Sequence, residues 1–390
     1  MRVISTGAFL LCGLRELCVK YRLGILERKS HAKLEEPAEK KFHSLRLCST
    51  FAAAALVITL AVTAQAQFVG VQRMDSEKRA EITVNGKPFT IFRGDERIMR
   101  PVLYPIISAG GSFVTRGFPF DTRDGDTVDH PHQVGSSLSY GNVNGIDFWN
   151  SSTFRTPEEM KRMGRIMHTA IVSTKSGPGS GELVTAAAWI GPDSITILTE
   201  KTKYSFHVAG AIRWIDRETR LTALLDDVTF GDSKEGMFAI HLPSELEQND
   251  QTKVKITNAK GVISQRERTD ILSGVYSNSE GLTTESKIWG TLGKWAAVSG
   301  KIGSENVTVA MFDHPSNTNF PSRMMVRGYG LLALNPFGQK QFDSKLEERK
   351  FVVKRGESIT FRYRLLIASG AMTNAVIEEE YKKFAPVTVP

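Results

Sequence analysis

From Ala80 to Phe92 the chain alternates apolar and polar side chains around Asn85-Gly86, and this period of two constrains the fold more than any other feature. Successive side chains of a strand point to opposite faces, so alternation marks a strand with one buried face. Asn-Gly between two such runs is the pair that a tight two-residue hairpin turn favours. Further β-like runs span Ser194–Glu200, Tyr204–Ile215, Arg220–Phe230 and Val307–Phe312. Phe351–Val353 and Thr360–Ile367 flank Arg355-Gly356-Glu357, which predicts a second hairpin. Helix signals are few. Thr156-Pro157-Glu158-Glu159 offers an N-cap, a proline at the first helical position and a capping-box glutamate, with Gly164 as a stop. Thr373–Phe384 predicts a C-terminal helix ended by Pro386. Many short strands separated by regular turn signals predict an all-β, mainly antiparallel protein: a large two-sheet β-sandwich with a few short helices. Residues 67–390 show no composition break and are expected to form a single domain.

Residues 1–66 read differently. Phe51–Ala66 is apolar, Lys40, Lys41 and Arg46 precede it, and Ala64-Gln65-Ala66 is a small-x-small cleavage pattern. This is the layout of a secretory signal cut after Ala66. The apolar run is shorter than the roughly 20 residues that span a bilayer as a helix. The protein is therefore expected in the periplasm or outside the cell, with no membrane span after signal removal. A signal starts just before its apolar core, so residues 1–39 are read as an N-terminal extension from a start codon placed too far upstream. All three cysteines (Cys12, Cys18, Cys48) precede the cleavage point, so the remainder has no disulfide and no thiol chemistry. The formal charge is +8, but ten basic and five acidic residues lie before Gln67, which leaves +3 for the rest. A charge that small over more than three hundred residues gives no field for polyanions, and nucleic acid is set aside as a partner.

The densest polar cluster runs from Thr115 to Trp149 and centres on Asp129-His130-Pro131-His132. Pro131 pushes His130 toward an extended backbone, which would put both imidazoles on one side, as an acid/base pair or as metal ligands. A structured loop whose histidines bond carbonyls is the plain alternative. A second Asp-His-Pro occurs at Asp313-His314-Pro315, directly after the Val307–Phe312 run, with Asn317 close behind. Glu235 sits in a glycine-flanked turn beside Lys234 and is the best carboxylate for proton transfer if it faces the histidines. Arg100, Arg116 and Arg327 can hold a carboxylate or a hydroxyl-rich ligand through forked hydrogen bonds. Trp149, Trp289, Trp295, Tyr104 and Tyr329 can stack on sugar faces or pack in the core. The sequence has no G-x-S-x-G, no H-E-x-x-H, no phosphate loop and no dinucleotide fingerprint, so serine-hydrolase, zinc-protease and nucleotide-dependent readings lack support.

Several ordered blocks resemble the bacterial PmoA-like family, named methane oxygenase PmoA. They include Arg100-Pro101-Val102-Leu103-Tyr104-Pro105, Thr115-Arg116-Gly117-Phe118-Pro119, Asp129-His130-Pro131-His132, Asp313-His314-Pro315-Ser316-Asn317, Arg327-Gly328-Tyr329-Gly330 and Asn335-Pro336-Phe337-Gly338. The chain departs from the family pattern at Gln133, where a third histidine is common, and at Ser136 and Ser137. The membrane methane monooxygenase subunit of that name is polytopic, and a chain with one removable apolar segment cannot share its architecture. What the resemblance implies is an exported, sugar-handling β-sandwich of largely unknown function.

The expectation is an exported carbohydrate-active protein, an enzyme acting on glycosides or sugar derivatives by hydrolysis or elimination. His130, His132, Glu235, Asp313 and His314 are the catalytic candidates, and Arg100, Arg116, Lys234, Asn317, Arg327 and Tyr329 the substrate-binding ones. Both Asp-His-Pro loops are expected to meet at one end of the sandwich. The alternatives are a non-catalytic carbohydrate-binding protein and a histidine-ligated, metal-dependent oxygenase. A divalent metal would suit the histidines, but no ligand set is assigned. The partner expected in every case but the last is a carbohydrate or another small hydroxylated ligand.

Overall fold

The computed structural model describes residues 66–95, 98–248, 253–267 and 272–386. The expected signal segment, up to residue 65, and the extension expected before it lie outside the described residues. Among the described residues no helix is long and apolar enough to cross a membrane.

The strands are β1 (Phe68–Met74), β2 (Arg79–Val84), β3 (Lys87–Arg93), β4 (Val102–Ile106), β5 (Ser136–Tyr140), β6 (Arg165–Lys175), β7 (Gly177–Pro178), β8 (Ser180–Ile190), β9 (Thr196–Ala209) and β10 (Ile212–Ala223). They continue with β11 (Val228–Phe230), β12 (Gly236–His241), β13 (Lys253–Thr257), β14 (Ile263–Glu267), β15 (Val275–Asn278), β16 (Trp295–Ile302), β17 (Glu305–Asp313), β18 (Arg323–Arg327), β19 (Leu331–Asn335), β20 (Phe351–Val353) and β21 (Ser358–Ser369). One sheet has nine strands in the order β18-β19-β12-β5-β4-β3-β2-β1-β7, the other eight in the order β15-β16-β17-β21-β10-β9-β8-β6. Pairing is antiparallel throughout the named strands. The fold is the mainly antiparallel, two-sheet β-protein that the sequence predicts. Helices are α1 (Pro157–Met160), α2 (Glu285–Ile288) and α3 (Asn374–Phe384).

The local chemistry behaves as read. Asn85 and Gly86 take φ of 50° and 76° and join β2 to β3, the left-handed pair that a tight hairpin needs. Thr156 and Glu159 form a reciprocal capping box over α1, with Pro157 at its start. Thr373 caps α3 by accepting from the Val376 N–H. Two expectations are corrected. The run Tyr204–Ile215 is not one strand: it crosses the hairpin between β9 and β10, turning at Gly210 with φ of 59°. Phe351–Val353 and the strand after it do not form a hairpin. β20 pairs with β11 in a separate ribbon, while β21 runs between β10 and β17. The Gly356 turn is real, but long-range partners claim the strands on either side of it.

The core fills the space between the sheets. Phe238 of β12 stacks on Tyr363 of β21 at 4.9 Å, and Phe89 of β3 meets Phe206 of β9 edge-on at 6.1 Å. Each such ring stabilises the fold by about 2–3 kcal/mol through burial. A buried ion pair, Glu200–Arg217 at 2.9 Å, accepts the Trp189 Nε1–H as well, so its lone pairs are satisfied where water cannot reach them.

β8 and β10 alternate buried and partly exposed residues along their whole length, as strands with one wet face do. β5, β12 and β19 are buried on both faces. Chain segments around residues 113–135 and 146–155 therefore cover the outer face of the nine-stranded sheet at these strands. That covered face carries the cluster described next.

Candidate functional site

The outer face over β5, β12 and β19 has a floor of small side chains. Ser137, Ala239 and Ala333 lie directly opposite one another in three adjacent strands, and their size leaves a shallow well whose enclosed space is only about 10 Å³. Trp149, Met325 and Leu331 wall it, with Trp289, Tyr329 and Phe342 half-buried above. Asp147 accepts hydrogen bonds from the Trp149 and Asn150 N–H groups at 2.8 and 2.9 Å, which fixes the turn that delivers Trp149.

Asp129-His130-Pro131-His132 closes over one side. The segment is a turn rather than the expected extended stretch. The Gln133 N–H donates to the His130 carbonyl at 2.9 Å, and His130 takes φ of 43°. Such left-handed backbone in a non-glycine residue costs of order 1 kcal/mol and concentrates at functional sites. The imidazoles are neighbours, 5.9 Å apart between centroids, yet they face different surroundings. His130 is half-exposed and lies flat on Tyr329, 4.5 Å away and tilted by 8°. Its Nδ1 contacts Asp129 Oδ2 at 2.8 Å. His132 is buried, and its Nδ1 has no hydrogen-bond partner.

Arg116 holds this turn from beneath. Its guanidinium is buried and donates to Asp129 Oδ1 at 2.7 Å, to Thr127 Oγ1 at 3.1 Å and to the His130 carbonyl at 3.0 Å. Burial would raise the Asp129 pKa, but the His130 hydrogen bond and the Arg116 charge outweigh it and hold the carboxyl well below its usual range. An ionised Asp129 only accepts, so Nδ1 of His130 donates the hydrogen bond between them. Burial, reinforced by the Arg100 charge, takes His132 down to about 2. It is a neutral imidazole at any ordinary pH.

Glu235 stands at the start of β12, half-buried. Burial raises its pKa, and Asp147 adds to the rise against the opposing charges of Lys234, Arg327 and His130. The Tyr329 hydroxyl is pushed up to about 12, chiefly by burial, with Glu235 and Asp129 contributing. Arg327 lies 3.6 Å from the Trp289 ring centroid and is paired with Glu285 at 3.1 Å. Arg100 is buried and spans the cluster from below, donating to Ser139 Oγ at 2.7 Å and to the carbonyls of Trp149 and Ser151.

The structure thus gathers His130, His132, Glu235, Lys234, Tyr329, Arg327, Arg116 and Arg100 around one face. Arg116 positions other groups, whereas Arg100 both holds the Trp149 and Ser151 carbonyls and lines the floor of the well. Three predicted residues lie elsewhere, and the expected meeting of the two Asp-His-Pro loops is corrected. Asp313 ends β17 facing the interior, where it accepts from Asn317 Nδ2 and the Ser322 N–H, both at 2.7 Å. Burial raises it to about 6 despite those bonds. Asn317 spends its remaining groups on the Arg362 main chain. His314 packs edge-on against Phe384 of α3, on the outer side of the eight-stranded sheet. The thickness of the sandwich separates it from His132, since packed sheets sit about 10 Å apart. Trp295 and Tyr104 are buried and Trp149 is buried in the wall of the well, so only Trp289 and Tyr329 of the five aromatic candidates present partly open rings.

Sequence reasoning passed over His241 and Ser151. His241 is fully buried on β12 below Tyr329, and neither ring nitrogen is hydrogen-bonded, although the Tyr329 main chain is near enough to favour its charged form weakly. Its alternation with Ala239 was the available signal. Among the described residues no three histidine, cysteine or carboxylate side chains are placed to hold one metal ion, so the residues here do not fit a histidine-ligated metal centre.

A two-sheet, mainly antiparallel β-protein with an aromatic and histidine-lined well on one outer face is the class that fold and site define. The chain belongs to the family of unknown function DUF6807, whose model matches residues 79–382. This corrects the resemblance to the PmoA-like family, and the oxygenase alternative loses the name it rested on. No curated protein sequence matches the chain. Among solved structures it is similar to the GH36 α-galactosidase AgaA from Geobacillus stearothermophilus, at 11% identity and a TM-score of 0.37, covering 78% of this chain and 41% of that one. It is also similar to an α-galactosidase from Lactobacillus brevis, at 10% identity and a TM-score of 0.37, covering 80% and 41%. A third is the galactosidase domain of the α-galactosidase–sucrose kinase AgaSK, at 8% identity and a TM-score of 0.36, covering 77% and 42%. The chain spans about two fifths of the length of these proteins, and the likeness concerns β architecture alone.

Proposed function

We propose that this chain binds a carbohydrate or a similar hydroxylated ligand in the well over β5, β12 and β19 and acts on it by acid–base chemistry. One observation carries the reading: an Asp129-oriented imidazole, His130, lies flat on Tyr329 beside a carboxyl, Glu235, whose burial favours its protonated form. An imidazole and a carboxyl held in its protonated form are a pair that can take and give a proton. Hydrolysis or elimination at a glycosidic bond each needs one proton taken and one given. Nε2 of His130 takes it from water or from a sugar carbon. Glu235 gives its own to the departing oxygen. Tyr329 and Trp289, whose faces already carry His130 and Arg327, offer their partly exposed edges to sugar C–H groups, and Arg327 reaches hydroxyls at the rim. His132 stays neutral and serves as a donor or acceptor, never as the acid. Export of the protein belongs to the same reading and is supported by the apolar run and the Ala64-Gln65-Ala66 pattern.

A screen of soluble glycans and aryl glycosides tests it. His130→Ala and Glu235→Gln should each lower any activity found by about 100-fold or more. Activity unchanged in both variants overturns the assignment. The half-open rings of Trp289, Tyr329 and Phe342 favour a second reading, binding without turnover. It is the outcome if a glycan binds in the well, Tyr329→Ala abolishes that binding, and no product forms.

A further inference from the structure

Beside the well, and separated from it by His132, lies a pocket of about 260 Å³. None of His130, Glu235, Trp289, Arg327 or Tyr329 lines it. From this pocket we infer a second binding site, which takes a small apolar ring carrying a carboxylate and does not rest on the carbohydrate reading.

Its walls are mixed, with an apolar side and a polar side made by Arg100, His132, Ser151, Ser152 and Thr153. Val102, Phe120, Pro131, Val134 and Phe154 line the apolar side. Phe154 is exposed at the mouth and meets Phe118 at 5.9 Å. Such a lining suits an uncharged ring better than a polyhydroxylated one. Two unpartnered polar atoms lie just behind this surface. His132 Nδ1 and Ser151 Oγ belong to lining residues more than nine-tenths buried, and neither atom has a hydrogen-bond partner. Buried polar groups in native proteins are paired in about nine cases of ten, so two covered orphans behind one wall are the groups that a ligand's polar atoms would pair with once these side chains turn toward the pocket.

The sign of that group follows from the charges. Arg100 lines the pocket and is buried, and its hydrogen-bond partners are the hydroxyl of Ser139 and two main-chain carbonyls, all neutral. Arg155 and Arg116 add positive potential at His132. Asp147 supplies some opposing charge to Arg100 from outside the pocket, and Glu159 pairs with Arg155 at 3.3 Å. No aspartate or glutamate is among the lining residues. A neutral imidazole N–H and a serine O–H, backed by a buried guanidinium, form a carboxylate receptor. A pocket of this size holds one substituted ring and not an oligosaccharide.

Isothermal titration of the full chain with benzoate tests the inference. Benzoate should bind at one site, and benzyl alcohol, acetate and galacturonate should each bind at least about tenfold more weakly, as expected for a lost charge-assisted hydrogen bond or lost apolar contact. His132→Phe and Ser151→Ala should each weaken benzoate by about tenfold, whereas Tyr329→Ala and Glu235→Gln, in the well, should leave it unchanged. Should His132→Phe fail to fold, histidine-labelled wild-type protein gives the same answer, because the His132 ring signals must move on adding benzoate. No saturable benzoate binding, equal affinity for benzyl alcohol, tighter binding of galacturonate, or loss of binding in Tyr329→Ala overturns it. Loss of glycan binding with benzoate binding intact would sink the carbohydrate reading alone.

Discussion

Asp129→Asn removes a single charge and separates two roles of one residue. Asp129 is the carboxylate partner of Arg116 at 2.7 Å, and the Arg116 side chain is fully buried while that of Asp129 is 43% exposed. Deleting one partner of a buried pair costs about 3–5 kcal/mol when the remaining charge is left uncompensated. Here Arg116 keeps Thr127 Oγ1 and the His130 carbonyl as neutral acceptors, and Asp126 still contributes opposing charge. The cost is therefore set below that range, at about 2–3 kcal/mol. A domain of this size has an unfolding entropy near 2.1 cal/mol/K per residue, so the midpoint should fall by about 3–5 °C. The variant also frees His130 to adopt the other tautomer, so activity should fall with the stability. Thermal and urea unfolding measure the first effect, and turnover at saturating substrate the second. Asp75→Asn, in the exposed Arg73–Asp75 pair, is the control and should lie within the error of the fit. The double variant Arg116→Met/Asp129→Asn should lose less than the sum of the singles, because each removes the same pair. If Asp129→Asn is as stable as wild type, Arg116 does not depend on Asp129 and the positioning account of the turn fails.

Other outcomes follow from the same geometry. Glu235 must be protonated to give a proton, so activity should fall as pH rises through its elevated pKa; Glu235→Gln should retain glycan binding without turnover, and a flat alkaline limb refutes the role. An unfolded histidine protonates near pH 6.5, whereas native His132 resists protonation down to about 2, so the unfolded state binds more protons on acidification. Stability should therefore fall as pH drops below about 6.5, by at most about 1.4 kcal/mol per pH unit for this residue. Urea titrations should show that slope reduced in His132→Phe, and identical slopes would contradict the neutral imidazole. Tyr329→Ala removes the face on which His130 lies and should weaken glycan binding by about tenfold or more in affinity electrophoresis. His314→Ala should leave binding in the well unchanged; a loss would restore the shared site that the sandwich geometry rules out.

How much was legible in the chain differs from element to element. Asn85-Gly86 needs two left-handed residues and has them, so the β2–β3 hairpin could be read locally. Thr156 and Glu159 sit at the spacing of a capping box and make one. The Gly356 turn is equally local, yet its flanking strands found distant partners, because β11 and β17 are brought beside them by the sheets and not by the turn. The candidate site divides in the same way. The Asp129-His130-Pro131-His132 turn and Glu235 stood out by residue type. Nothing within a window of sequence shows that one Asp-His-Pro loop lies over the nine-stranded sheet while the other caps the opposite one, or that His241 and Ser151 belong with the first.

Residue order by itself determined the strand period, the turns and caps, and therefore the β architecture, because those depend on dihedral preferences and on side-chain alternation over a few neighbours. Only the tertiary structure decided which sheet face is roofed by loops, which imidazole is exposed and which is sealed, and which arginine supports rather than binds. Those outcomes depend on burial and on charges contributed by residues up to a hundred or more positions away, which exist as neighbours only after the sheets have paired.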